Sequence, residues 1–197
     1  MRYRNTSKST RQPNFIRGYG FQGSAGAVFN QGAEGFGAAF KQAVKTGTYR
    51  ISLGAFGESL ARDENFVAID PNLKDVWGVP ALHISMTHGG NERALHEDAA
   101  ASAAEMLEAA GAKNIEIRST VAEPGMAIHE LGTATMGNDP RTSVTNSYCQ
   151  LHDVKNVFAM DGACFVSSGC QNPTLTMMAL AVRACDRLID RFKKHEI

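Results

Sequence analysis

Charge of either sign is not in excess: 20 lysines and arginines balance 20 aspartates and glutamates. A neutral chain has no electrostatic reason to seek nucleic acid or an anionic membrane surface. Long apolar runs are missing too, and none approaches the roughly 20 residues that cross a bilayer. The opening residues, MRYRNTSKSTRQPN, are basic and polar, and no apolar segment follows as a secretory signal requires. They read as a loop, or as the interior of a longer chain. The four cysteines, Cys149, Cys164, Cys170 and Cys185, contain no CxxC pair, which argues against a structural zinc site. They fit buried free thiols, and their spacing leaves disulfides open. The histidines show no metal-ligand spacing, and Ser167–Ser168 lacks a GxSxG frame, so zinc-hydrolase and serine-hydrolase chemistry find no support.

What is present is ordinary for a folded protein. The 197 residues are 43% hydrophobic and 20% charged, enough for one good-sized domain or two small ones. FIRGYGFQGSAGAVF mixes aromatics with close glycines and suits a strand with close backbone approaches. AAFKQAVKTG predicts a short helix closed by Gly47. YRISLGAFGESL and NIEIRSTV predict strands by alternation, and NFVAIDP and PALHISMTH are the strand candidates between them. NERALHEDAAASAAEMLEAAG predicts a long helix, capped by Asn91 at its start and Gly111 at its end. After Ala122 the chain turns loop-rich, passes a short strand in NVFAMDG, and closes on the amphipathic helix TLTMMALAVRACDRLIDRF. The expected class is α+β, with an antiparallel sheet, helices, and a C-terminal strand–loop–helix.

Chemistry is expected in the last third. His129 opens HELGTATMG, where Gly132 and Gly137 permit close approach of a ligand or of another backbone. It is either a histidine satisfied by loop carbonyls or a residue placed to exchange a proton near neutral pH. Asn172 stands where a helix cap should be, with Pro173 at the first helical position. The two roles are compatible, because a helix N-terminus also stabilises negative charge set before it. Asp161–Gly162, after NVFAM, is a turn signal or a strand-end acid that meets a dinucleotide.

HELGTATMGNDPRTSV, NVFAMDGACFVSS and CQNPTLTMMALAVRACDRLI together resemble the C-terminal signature of the glucose–methanol–choline (GMC) family of FAD-dependent oxidoreductases. FIRGYGFQG and DPNLKDVWGVPALHI are similar to the substrate-domain sequence of bacterial members that oxidise sugars or polyols. The resemblance implies hydride transfer from an alcohol carbon to flavin. His129 would be the catalytic base and Asn172 the catalytic partner that holds the alcohol. Asp161, Gly162, Asn172, Pro173 and Thr174 would contact FAD. It implies a substrate-binding portion over 1–125 and a C-terminal region over 126–197, whose strand–loop–helix returns to the FAD domain. The substrate pocket is expected near Ile51–Gly57 and Leu82–Met86. A quinone, a cytochrome or oxygen would take the electrons. The family also opens with a Rossmann unit bearing GxGxxG. Gly18, Gly20 and Gly23 carry that spacing here without a βαβ unit around them and read as coincidence. The chain is therefore expected to be a C-terminal portion, through truncation, gene splitting or an incomplete gene model. A non-catalytic subunit that needs a separate FAD-domain chain is the alternative, and a stand-alone sugar-binding domain is a third reading.

Overall fold

The computed structural model describes residues 3–30, 32–126 and 128–196. Its architecture is α+β, with two separate two-stranded antiparallel sheets and three α-helices. Strand β1 (Tyr19–Val28) pairs with β2 (Thr48–Gly57) over its full length, from Tyr19↔Gly57 to Val28↔Thr48. Helix α1 (Gly37–Lys45) lies in the connection. The glycines of β1 have a packing reason: a Cβ on Gly23 would sit 2.6 Å from the Ser52 carbonyl oxygen. Gly20 and Gly23 thus belong to a strand, as the missing βαβ context implied.

Helix α2 (Gly90–Ala109) packs on the end of this hairpin. Its buried residues Glu92, Leu95, Ala99 and Ser102 recur at alternating steps of three and four, which places them on one face. Leu95 and Ala99 join Phe15 and Tyr19 in a small core, edged by Phe21, Ala55 and Ala94. The Tyr19 hydroxyl donates to Asp98 and Ser102, and Arg4 reaches the same two side chains at 2.9 and 3.1 Å. Burial, with Asp98 adding to it, pushes the Tyr19 phenol up to about 12.

The start of α2 departs from expectation. Gly89 is the cap, and the Glu92 carboxylate accepts the N–H groups of Gly89 (2.7 Å) and Leu60 (3.0 Å). A glutamate three residues into the helix satisfies the cap amide and releases Asn91 for a tertiary contact. Asn91 accepts the N–H of Ile16 at 2.8 Å instead. Gly111 follows the helix end with φ +83°, the left-handed turn that glycine permits.

Strands β3 (Phe66–Lys74) and β4 (Pro80–Ser85) form the second hairpin. At its tip Asp75 accepts the N–H groups of Trp77 and Val79, each at 2.9 Å. Two expected strands are absent. Residues 114–121 alternate correctly but pair with no neighbour, and a strand exists by its ladder rather than by its pattern. NVFAMDG contributes one isolated bridge, Gln150↔Phe158.

Helix α3 (Thr174–Lys193) confirms the amphipathic reading, with its cap at Pro173 and Asn172 one residue outside. Proline fits this entrance because its fixed φ suits it and its missing N–H leaves no donor unsatisfied. Ala184 on α3 meets Cys149 and Cys164 in a second small core, beside Met136, Met160, Phe165 and Leu180. These two thiols are buried and form no disulfide, Cys149 donating to the Cys164 sulfur at 3.9 Å, whereas Cys170 is half-buried and Cys185 exposed. Burial, with Cys164 adding to it, pushes Cys149 up to about 11. None of the described helices is long and apolar enough to cross a membrane.

Burial alone would push the Glu92 carboxyl up, but the Leu60 and Gly89 amides outweigh it, and the net direction is down from 4.5. Its stabilisation is therefore present above pH 4.5 and disappears as pH falls through the lower folded value. Glu92→Gln should cost about 1–3 kcal/mol at pH 7 and progressively less in acid, measured by urea unfolding across pH.

Candidate functional site

His129 to Met136 is an irregular segment held against the short 3-10 turn Gly162–Cys164. The N–H groups of Gly132, Ala134 and Met136 donate to the carbonyls of Gly162, Ala163 and Cys164, each at 3.0 Å. Thr145, fully buried, braces this seam from behind by donating its hydroxyl to the Ala134 carbonyl at 3.2 Å. The seam requires glycine at 162. A Cβ there would meet Leu131 Cδ2 at 2.6 Å, Met177 Cε at 2.9 Å and the Glu130 carbonyl oxygen at 3.1 Å. One small residue thus touches the residues after His129 and the first turns of α3.

The backbone entering the seam is unusual. His129 (φ +69°) and Thr133 (φ +72°) are left-handed, on either side of Gly132 (φ +94°). A left-handed β-branched threonine is costly and persists where its surroundings over-determine it, a condition met most often near functional sites. His129 itself is half-buried.

Asp161 is exposed and accepts the Ala163 N–H at 2.9 Å, capping the short 3-10 turn Gly162–Cys164. Locally, therefore, the turn reading of Asp161–Gly162 holds. Pro173 is buried, and its carbonyl accepts the Met177 N–H. No side chain caps the start of α3, and its first turn holds no acidic residue. That leaves the positive end of a 20-residue helix facing outward at Thr174.

Asn172 is exposed and lines an open cleft of about 330 Å³. Cys170, Gln171 and Asn172 form one wall, and Gly20, Phe21 and Gln22 of β1 form the other. The β1 wall was not anticipated. Its sequence signal was present, since the small residues around Phe21 let a loop come close. Neither stretch expected to shape the pocket lines the cleft: Ile51–Gly57 lies behind it as the partner strand of β1, and Leu82–Met86 falls in the other hairpin region. A larger cleft of about 750 Å³ lies beside the N-terminal segment and contains none of the expected site residues.

The structure brings the His129 segment to Gly162 and Met177, and Asn172 to β1. Among the described residues no hydrogen bond joins His129 to Asn172, and His129 does not line the Asn172 cleft. The other histidines make separate contacts. His83 is exposed beside Phe66, and His152 meets Ser143 at 3.0 Å. His88 touches the Ala122 carbonyl at 2.9 Å, while burial and then the His88 charge hold His96 below its ordinary value. Among the described residues no group of three or more histidine, cysteine or acidic side chains is placed to hold a metal.

Comparison with known proteins adds a family. The C-terminal family model described as GMC oxidoreductase matches residues 61–181. The chain is 41% identical to a 2-methyl-1,2-propanediol dehydrogenase of Mycolicibacterium austroafricanum, over 70% of this chain and 25% of that protein. It is 31% identical to a fructose dehydrogenase large subunit of Gluconobacter japonicus, over 73% of this chain and 26% of that one. It is 29% identical to a gluconate 2-dehydrogenase flavoprotein of Pantoea cypripedii, over 92% of this chain and 33% of that one. The chain thus spans a quarter to a third of the length of these relatives.

Gly162→Ala forces Leu131, Met177 or the Glu130 backbone to move. It should lower stability by about 1–3 kcal/mol, read from thermal unfolding. Ala163→Gly, at a neighbouring seam position without that contact, should cost under about 1 kcal/mol.

Proposed function

The chain belongs to the GMC oxidoreductase family, and from that premise we propose that it supplies the substrate-facing and flavin-contacting C-terminal part of an FAD-dependent enzyme. That enzyme oxidises a CH–OH group of a sugar or polyol. The names of the relatives support the substrate class: a propanediol, gluconate and fructose dehydrogenase. The observation that carries the reading is the seam at Gly162, which ties the segment after His129 to the start of α3.

The residues present suit a flavin. The uncapped, acid-free start of α3 offers N–H groups to a negative charge, as the N1 and C2=O edge of a reduced isoalloxazine requires. Asp161, Gly162, Pro173 and Thr174 would lie along the cofactor, with Asn172 at its edge. When bound, FAD accepts the hydride from the alcohol carbon. His129 takes the hydroxyl proton on an imidazole nitrogen, so that negative charge does not build on the oxygen. Asn172 donates its amide N–H to that oxygen and fixes its direction. Residues 1–125 shape the substrate side, and 126–197 form the flavin side.

Helix α3 supports the same reading from its outer face. Leu175, Met178, Val182, Cys185, Ile189 and Phe192 are exposed at alternating steps of three and four, a continuous apolar stripe. On this reading the stripe is the face on which the flavin-binding part of the enzyme packs.

In a flavin-loaded protein containing this chain, His129→Ala should slow flavin reduction by about 10²–10⁴-fold at unchanged flavin content. Asn172→Ala should slow it by about 10–100-fold. Stopped-flow bleaching of the flavin checks both, and undiminished reduction in His129→Ala would reject the assignment. A separate expectation concerns cofactor affinity. FAD titrated into residues 1–197 alone should bind weakly, read from flavin fluorescence, because the dinucleotide's other half is held elsewhere.

A further inference from the structure

The two walls of the Asn172 cleft come from sequence positions about 150 residues apart, and neither core joins them. One carboxylate does. Glu58 follows β2 directly, and its side chain is only 10% exposed. One oxygen, Oε1, accepts the backbone N–H of Ser168 at 3.2 Å. The other, Oε2, pairs with Arg17 Nε at 3.0 Å. Ser168 lies four residues before Asn172, and Arg17 three before Gly20, so Glu58 holds the approach to each wall.

Both ends of this bridge are fixed. Arg17 is left-handed (φ +69°), and the Asn5 side chain donates to its carbonyl at 2.6 Å and to that of Phe15 at 3.1 Å. Its backbone is thereby pinned before the chain enters β1. On the other side, residues 166–172 belong to no helix or strand, so an anchored amide matters more there than inside regular structure. A largely buried carboxylate that accepts from one backbone donor and one guanidinium is a directional link, and removing it leaves the Ser168 amide short while the half-exposed Arg17 turns to water.

We propose that Glu58 is a positioning residue that sets the width of the cleft and holds Asn172 opposite Phe21 and Gln22. The proposal rests on the reading of Asn172 as the residue that orients the alcohol. Glu58 touches neither substrate nor flavin and acts through the Ser168–Asn172 loop. Loss of the link lets that loop drift, and a misplacement on the order of 1 Å at a substrate-orienting group costs about 100-fold in rate.

The test is a double-mutant cycle in the flavin-loaded protein, with kcat/KM normalised to bound flavin. Glu58→Ala should lower kcat/KM by about 10–100-fold in the parent and by less than about threefold in an Asn172→Ala background, because both changes remove one function. Glu58→Gln keeps an acceptor for Ser168 but loses the charge facing Arg17, and should show a smaller loss that is likewise absorbed by Asn172→Ala. It carries the cycle should Glu58→Ala fail to accumulate. Hydrogen exchange of the Ser168 amide, followed in the same proteins, should be slow in the parent and at least about tenfold faster in Glu58→Ala. Fully additive losses would overturn the positioning role, since a general stability effect adds to Asn172→Ala rather than vanishing into it. An unchanged Ser168 exchange rate would overturn the link itself, whatever the kinetics. If Asn172→Ala leaves turnover intact while Ser168 exchange responds to Glu58, the reading of Asn172 fails, and the positioning role fails with it.

Discussion

Two backbones can approach at residue 162 because that residue has no side chain, and the placement of the C-terminal motifs depends on that approach. Three N–H groups from 132–136 reach three consecutive carbonyls at 162–164. Individually such bonds contribute about 1 kcal/mol, but together they fix the direction as well as the distance of the incoming segment. His129 lies three residues before the first of them. Met177, one turn into α3, closes on the same glycine from the other side. Cys164, at the end of the seam, carries the constraint into the second core through Ala184 of α3. The proposed base and the proposed flavin-facing helix end are therefore positioned by one contact rather than by two independent ones.

The Asn172 cleft obeys a different physics. Among the described residues each core holds only three or four buried residues, and no hydrophobic cluster runs between them. Packing cannot set the spacing between β1 and the Asn172 loop, because apolar contact is non-directional and too little of it exists there. Polar links take over: Glu58 across the cleft, Asn5 behind Arg17, and the Asp98–Tyr19–Ser102 group behind β1. Hydrogen bonds have direction as well as energy, and a cleft whose width must be held gains more from direction.

How much of this was legible in the sequence differs by interaction range. Helix α2 was legible because alanine density and Gly111 are local signals, and α3 because its apolar period is local. The hairpins were legible from alternation, but alternation misled at 114–121, where the same pattern meets no partner strand. Caps were half-legible. A polar residue was expected at the starts of α2 and α3, yet Glu92 closes α2 from inside the helix and Pro173 enters α3 where Asn172 was expected. In the candidate site, HELGTATMG, Asp161–Gly162 and Asn172–Pro173 stood out by composition. Phe21 and Gln22 in the cleft and Glu58 behind it did not, since their placement comes from contacts across more than 100 residues. No local pattern records which loop will lie opposite which strand.

His129 is left-handed just ahead of the seam. A glycine at 129 would adopt φ +69° at no steric cost, whereas histidine there carries a penalty on the order of 1–3 kcal/mol. The seam that begins at Gly132 leaves the chain little choice of direction, so the penalty falls on whichever residue occupies 129. Packing gives no reason to keep an imidazole at that point: His129 is half-buried and belongs to neither core. A polar side chain with no packing duty is compatible with a proton-exchanging role, although left-handed backbone alone does not mark one, since His195 shares it. Thr133 shares the strain without such a side chain, and lies where Gly132 and Ala134 are already committed to the seam. The cost at 133 thus belongs to the seam, and the cost at 129 belongs, on the reading proposed above, to the chemistry.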